Sequence, residues 1–144
     1  MTHPRLRRPL ALASGLALLA ASLAGAAQAS TAGVGIASNP QIGHAILTDD
    51  RGVTLYRFIQ DDGSTSTCYD GCARAWPPVV VDGVPAAEAS LAAGLGTTVR
   101  TDGSLQLTFG GAPLYYYVGD RQPGEVTGQG SDGVWFVVDA PGRS

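Results

Sequence analysis

A chain of 144 residues with 12 acidic and 9 basic side chains carries a formal charge of −3. That balance argues against a nucleic acid or an anionic membrane surface as partner. Every basic residue is arginine, which removes any lysine-based imine chemistry.

The N-terminus reads MTHPRLRRPLALASGLALLAASLAGAAQAS. Arg5, Arg7 and Arg8 form a positive region, Leu10 to Ala24 an uncharged apolar run, and Ala27 and Ala29 a small-x-small cleavage site. These features predict a secretory signal peptide over residues 1–29, too short to read as a spanning helix. Cleavage after Ala29 leaves residues 30–144, a length that fits one domain. No second long apolar segment follows, so no transmembrane segment is expected in the mature chain, and His44 is the histidine that remains. No cysteine lies near the cleavage site, so a lipid anchor is not expected.

A polar, glycine-rich entry, STAGVGIASNPQIG, comes next. The segments HAILTD (44–49), VTLYRFI (53–59), PVVV (78–81), TTVR (97–100), LQLTF (105–109), PLYYYV (113–118) and VWFVVD (134–139) are rich in β-branched and aromatic residues. Asp-Gly and Gly-Gly turn signals flank them, which predicts strands joined by short loops. AAEASLAAGL, residues 86–95, reads as a short helix between Pro85 and a terminating glycine. The fold class expected is therefore all-β, mostly antiparallel, with one short helix.

GVTLYRFIQD at 52–61 is answered by GAPLYYYVGD at 111–120. Gly52, Leu55, Tyr56 and Asp61 match Gly111, Leu114, Tyr115 and Asp120 at a constant spacing, and Phe58 matches Tyr117. Carried forward without a gap, the same spacing sets Trp76 on Trp135, Cys68 on Thr127 and Cys72 on Ser131. Two pseudo-symmetric repeats, about 42–81 and 100–139, are expected to close around one core. Residues two apart on a strand share a face, so Tyr56 pairs with Phe58 and Tyr115 with Tyr117, while Leu55, Leu114 and Tyr116 face the other way. Of the three consecutive tyrosines, Tyr116 is expected to be the most accessible. Asp61 and Asp120 end their strands, where a carboxylate accepts backbone amides of its own turn or a tyrosine hydroxyl. The aromatic residues read as scaffold first and as the floor of a ring- or sugar-binding cleft second.

The Y-x-(F/W/Y)-x-x-D pattern at Tyr56–Asp61 and Tyr115–Asp120, with STCYDGCARAWPPV after the first copy and PGEVTGQGSDGVWFVV after the second, resembles the bacterial secreted repeat family of unknown function. Proteins with that motif are described as predicted lipoproteins. The resemblance implies an extracytoplasmic protein, often membrane-tethered, and supplies no reaction. The missing lipobox cysteine favours a free periplasmic or extracellular form.

Cys68 and Cys72, in C-Y-D-G-C, read first as a disulfide in an oxidising compartment. The alternative is a periplasmic copper or thiol-redox site with Cys68, Cys72 and His44 as ligands, thiolate and imidazole being suited to copper. A thioredoxin-type C-x-x-C is absent. A third reading, a hydrolase using Asp49-Asp50 or Asp61-Asp62, competes with ordinary turn chemistry. No nucleophile elbow, zinc-protease motif or P-loop is present. The expectation is a non-enzymatic binding or interaction module without a cofactor, whose partner is an envelope protein or a small ligand.

Overall fold

The computed structural model describes residues 33–142. The signal peptide assigned to residues 1–29 lies outside them. The chain is mostly antiparallel β-sheet, assembled from two copies of one unit related by a pseudo-twofold axis.

Each copy opens with a hairpin. In the first, β1 (Val34–Asn39) pairs with β2 (His44–Asp49) over its whole length, from Val34 opposite Asp49 to Asn39 opposite His44. In the second, β5 (Leu95–Val99) pairs with β6 (Leu105–Phe109), from Leu95 opposite Phe109 to Val99 opposite Leu105. Each hairpin leads into a strand carrying the repeated decapeptide, β3 (Tyr56–Phe58) or β7 (Ala112–Tyr115). The turn residues Gly52 and Gly111 both have φ of +82°, which explains why a glycine heads both copies. β3 and β7 lie antiparallel with Tyr56 directly opposite Tyr115. The local axis passes between these two tyrosines, because each is the other's equivalent.

The closing strand of each copy belongs to the other copy's sheet. β8 (Trp135–Val137) runs beside β3, and Leu47 N–H reaches Val138 O at 2.8 Å. Correspondingly, β4 (Val80–Val81) runs beside β6, and Leu107 N–H reaches Val79 O at 2.8 Å. Val138 N–H and Val79 N–H then bond Leu55 O and Leu114 O at 3.1 and 3.0 Å.

Alternation along these strands builds the core in two layers. Leu47, Leu55, Leu107, Leu114, Val79 and Val138 make an aliphatic layer on one side of the sheet. Ile46, Tyr56, Tyr115, Trp76, Trp135 and Val137 make an aromatic layer on the other. Burying a large side chain of either layer contributes about 1.5–3 kcal/mol.

Three local features differ from the sequence reading. The polar entry contains a full strand, β1, whose glycines hide it from a pattern search but whose backbone pairs completely with β2. The helix read over 86–95 contracts to α2 (Ala89–Ala92), capped on Glu88, because only Leu91 of its residues is buried and little packing supports more turns. A further helix, α1 (Asp70–Ala75), lies inside the cysteine segment. Its six residues include Asp70 at φ +48° and a glycine, so neither propensity nor periodicity announces it.

Candidate functional site

The motif residues meet across the pseudo-axis. Tyr56 donates to Asp120 Oδ2 at 2.6 Å, and Tyr115 donates to Asp61 Oδ2 at 2.8 Å. The tyrosine of each copy thus satisfies the aspartate of the other. The second oxygen of each carboxylate closes its own turn: Asp61 Oδ1 accepts Thr67 N–H at 2.8 Å, and Asp120 Oδ1 accepts Thr127 N–H at 2.9 Å. Each threonine hydroxyl bonds the same oxygen. Both alternatives open in the sequence, turn and tyrosine, are therefore realised at once, one per oxygen.

Threonine 127 consequently occupies the place of Thr67, not of Cys68 as ungapped spacing has it, and Gly128 takes the place of Cys68. One extra residue between Asp120 and Thr127 makes the shift, and the spacing recovers by Trp135. Gly128 N–H also lies on Tyr56 Oη at 3.3 Å. A Cβ at Gly128 would sit 2.6 Å from Trp76 Cη2, so the ring stacks against bare backbone.

Over this lock lies a run of four stacked rings, Phe58–Trp135–Trp76–Tyr117. Their centroids are 4.2, 4.0 and 4.2 Å apart, and the two indoles are within 3° of parallel. Tyr56 and Tyr115 meet Trp76 and Trp135 edge-on at 5.3 and 5.1 Å. Trp76 and Trp135 are only 6% and 3% exposed, so the four motif aromatics and two indoles form a packed layer and not an open cleft. Tyr116 faces away from its neighbours into the aliphatic layer, as alternation requires, and is half-buried, as Tyr117 is on the other side. Its hydroxyl lies 3.3 Å from Asp49 Oδ2.

Burial dominates the titration of these groups. It holds the Tyr56 and Tyr115 phenols far above the ordinary tyrosine range, reinforced by the carboxylates they bond. Tyr116 is pushed up to about 12 by burial and by the Asp49 charge. The Asp61 carboxyl is raised, because its burial outweighs the Thr67 amide and the Tyr115 hydroxyl that favour its anion.

A polar network absent from the sequence reading supports one side of the lock. Arg100, 5% exposed, donates to Ser66 Oγ at 2.9 Å, Gln106 Oε1 at 2.7 Å and Cys68 O at 2.9 Å, and its guanidinium lies 4.3 Å from the centroid of the Tyr69 ring. The Tyr115 and Ser66 hydroxyls are 2.7 Å apart. Since Tyr115 gives its one proton to Asp61, Ser66 donates here, and a directed chain runs from the Arg100 cation through Ser66 and Tyr115 to the Asp61 anion. Among the described residues no carboxylate lies within 4 Å of Arg100. Arg100 was hidden because it precedes a plain Thr-Asp-Gly turn. The opposing copy has Val126 where this one has Ser66, so no repeat signal marks the network either.

The remaining candidates fall apart from one another. Cys68 and Cys72 form a disulfide with Cα atoms 5.2 Å apart. His44 instead pairs with Asp139 at 2.7 Å on the surface. The copper set Cys68, Cys72 and His44 is therefore not assembled as two thiolates and an imidazole. Asp49, 2% exposed, is saturated by Arg51 N–H and Val53 N–H on Oδ1 and by the Arg51 side chain on Oδ2 at 2.7 and 2.9 Å. It braces the β2–β3 turn, while Asp62 closes a small bridge with Thr65. Among the described residues no group of three or more histidine, cysteine or acidic side chains could hold a metal ion, and no helix is long and apolar enough to cross a membrane.

A family model described as a secreted repeat of unknown function matches residues 44–80 and again residues 96–139. No curated protein and no solved structure matches the chain.

Proposed function

Because the chain belongs to the family of secreted repeats of unknown function, we propose that it works outside the cytoplasm, periplasmic or extracellular, as a non-enzymatic binding module of the cell envelope. One observation carries this reading: the tyrosine and the aspartate that open and close each copy of the motif are already engaged inside the protein. The Tyr56 and Tyr115 hydroxyls and all four oxygens of Asp61 and Asp120 bond one another or their own turns. A general acid or base must reach the proton it moves, and these groups are held toward the scaffold. The motif is then the frame, and recognition falls to the surfaces that the frame holds out.

Ile59 and Val118 follow Phe58 and Tyr117 at equivalent places in the two copies and are 52% and 55% exposed. They are suitable reporters because neither supports the core. A photo-crosslinking residue placed at each, in cells exporting the protein, should yield a discrete adduct with an envelope protein or small ligand. Absence of any adduct from these and other surface positions speaks against a binding role. Turnover of a substrate by the purified chain, abolished by Asp61→Asn with the fold intact, would establish the hydrolase reading instead.

A further inference from the structure

The two copies of the unit provide an internal comparison. Asp61 closes on Thr67 and Asp120 on Thr127 in the same way, yet the second copy has Gly128 where the first has Cys68 and carries no cross-link. The turn therefore does not need a covalent bond to form. The disulfide is also unevenly buried. Cys68 is 0% exposed inside the aromatic layer, whereas Cys72 is partly exposed on α1, between the exposed Gly71 and Arg74. Exchange depends on which sulfur an incoming thiolate reaches, and of the two cysteines only Cys72 keeps solvent-exposed surface.

We propose that Cys68–Cys72 is an exchangeable disulfide, opened at Cys72 Sγ by an external dithiol while the rest of the fold stays intact. One thiolate of the dithiol attacks Cys72 Sγ and forms a mixed disulfide. Cys68 Sγ leaves with the electron pair and, in its apolar surroundings, takes up a proton. The second thiolate of the dithiol then attacks its own sulfur in the mixed disulfide, closing the reagent into a disulfide and releasing Cys72 as thiolate. Two electrons pass from the dithiol to the cystine. A monothiol leaves Cys68 four residues from the mixed disulfide, where ring closure expels it, so dithiols are the reagent class the site admits.

The surrounding loop is held by bonds that do not run through sulfur. Arg100 grips Ser66 Oγ and Cys68 O, Thr101 N–H donates to Tyr69 Oη at 3.2 Å, and Asp61 keeps Thr67. What opening releases is α1, whose Cys72 O accepts Trp76 N–H at 2.8 Å. Reduction thus reaches the edge of the indole stack without cutting the lock beneath it.

The test treats the full chain with dithiothreitol, or with 2-mercaptoethanol at equal thiol, in native buffer, then alkylates and maps masses while circular dichroism follows the fold. Reduction by the dithiol with the folded spectrum kept, and little by the monothiol, is the expected result. Reduction only where the folded spectrum is lost, or equal reduction by both reagents, overturns the proposal. Single variants give a second reading: with Cys68→Ser the remaining Cys72 should alkylate at least ~10-fold faster than the Cys68 left by Cys72→Ser. Equal rates in folded variants also overturn it. Should a variant not fold, the comparison of the two reagents on the unmodified chain decides.

Discussion

The hydroxyl of Tyr56 donates at 2.6 Å to the carboxylate of Asp120, which lies 64 residues further along the chain and in the other copy of the motif. The bond between Tyr115 and Asp61 reciprocates it. A motif that looks local in sequence is satisfied only across the pseudo-axis, so its energetics should couple residues of different copies.

Double-mutant cycles read that coupling. Tyr56→Phe and Tyr115→Phe each leave a partly buried carboxylate oxygen without its donor, and each should cost about 1–3 kcal/mol in denaturant unfolding. Tyr56→Phe combined with Asp120→Asn should show an interaction energy of about 0.5–3 kcal/mol. Tyr56→Phe combined with Asp61→Asn, a pair within one copy, should show less. The opposite ranking would contradict the crossed arrangement.

Gly128 offers a packing test. Its missing side chain makes room for Trp76 Cη2, which an added Cβ would approach to 2.6 Å. Gly128→Ala should therefore cost about 1–3 kcal/mol through overpacking. In a Trp76→Phe background, where the outer indole ring is gone, the same substitution should cost measurably less. Thermal melts of the four proteins supply the comparison.

Arg100 is a buried cation whose acceptors are two side chains and a carbonyl. Arg100→Met should destabilise the protein by roughly 3 kcal/mol, as it strips charge-assisted bonds from Ser66, Gln106 and Cys68 O. Arg100→Lys should recover little, because an ammonium cannot reproduce the planar fork or the stacking on Tyr69. Chemical denaturation distinguishes the two, and full recovery by lysine would show that charge alone matters.

The tyrosines fix the alkaline limit of stability. Unfolded tyrosine ionises near pH ~10, whereas Tyr56, Tyr115 and Tyr116 hold their protons higher in the fold, chiefly through burial. Above pH ~10 the folded chain thus binds more protons than the unfolded one, so stability falls as pH rises through that window. Their stabilisation is fully present below it. Tyrosinate absorbance from these residues should appear together with loss of the folded circular dichroism signal. Smooth titration of all tyrosines in a folded protein would refute this.

Much of the frame could be read from alternation. Segments with β-branched and aromatic residues between Asp-Gly turns became strands, with β2 and β6 running over the same residues as HAILTD and LQLTF. The pairing of Trp76 with Trp135 followed from one constant spacing and reappears as the central stack. Partnership was not legible, because spacing says which residues are equivalent and not which ones touch. Nothing local ties Tyr56 to Asp120 in preference to Asp61. The Arg100 network was hidden for a related reason: its acceptors, Ser66, Gln106 and a backbone carbonyl, are ordinary residues until the fold brings them around one guanidinium. The strand β1 escaped because its stabilisation is the backbone ladder to β2, which composition does not encode.

The exchange of closing strands has a consequence for how the chain can be divided. With β4 laid against β6 of the second copy and β8 against β3 of the first, the molecule is in topology a dimer of half-chains joined by one tether, residues 82–94. A cut in that tether leaves every inter-strand ladder in place. Loss of either half strips the survivor of the strand laid against it and of the hydroxyl that holds its carboxylate, so the smallest unit with a complete sheet is the pair.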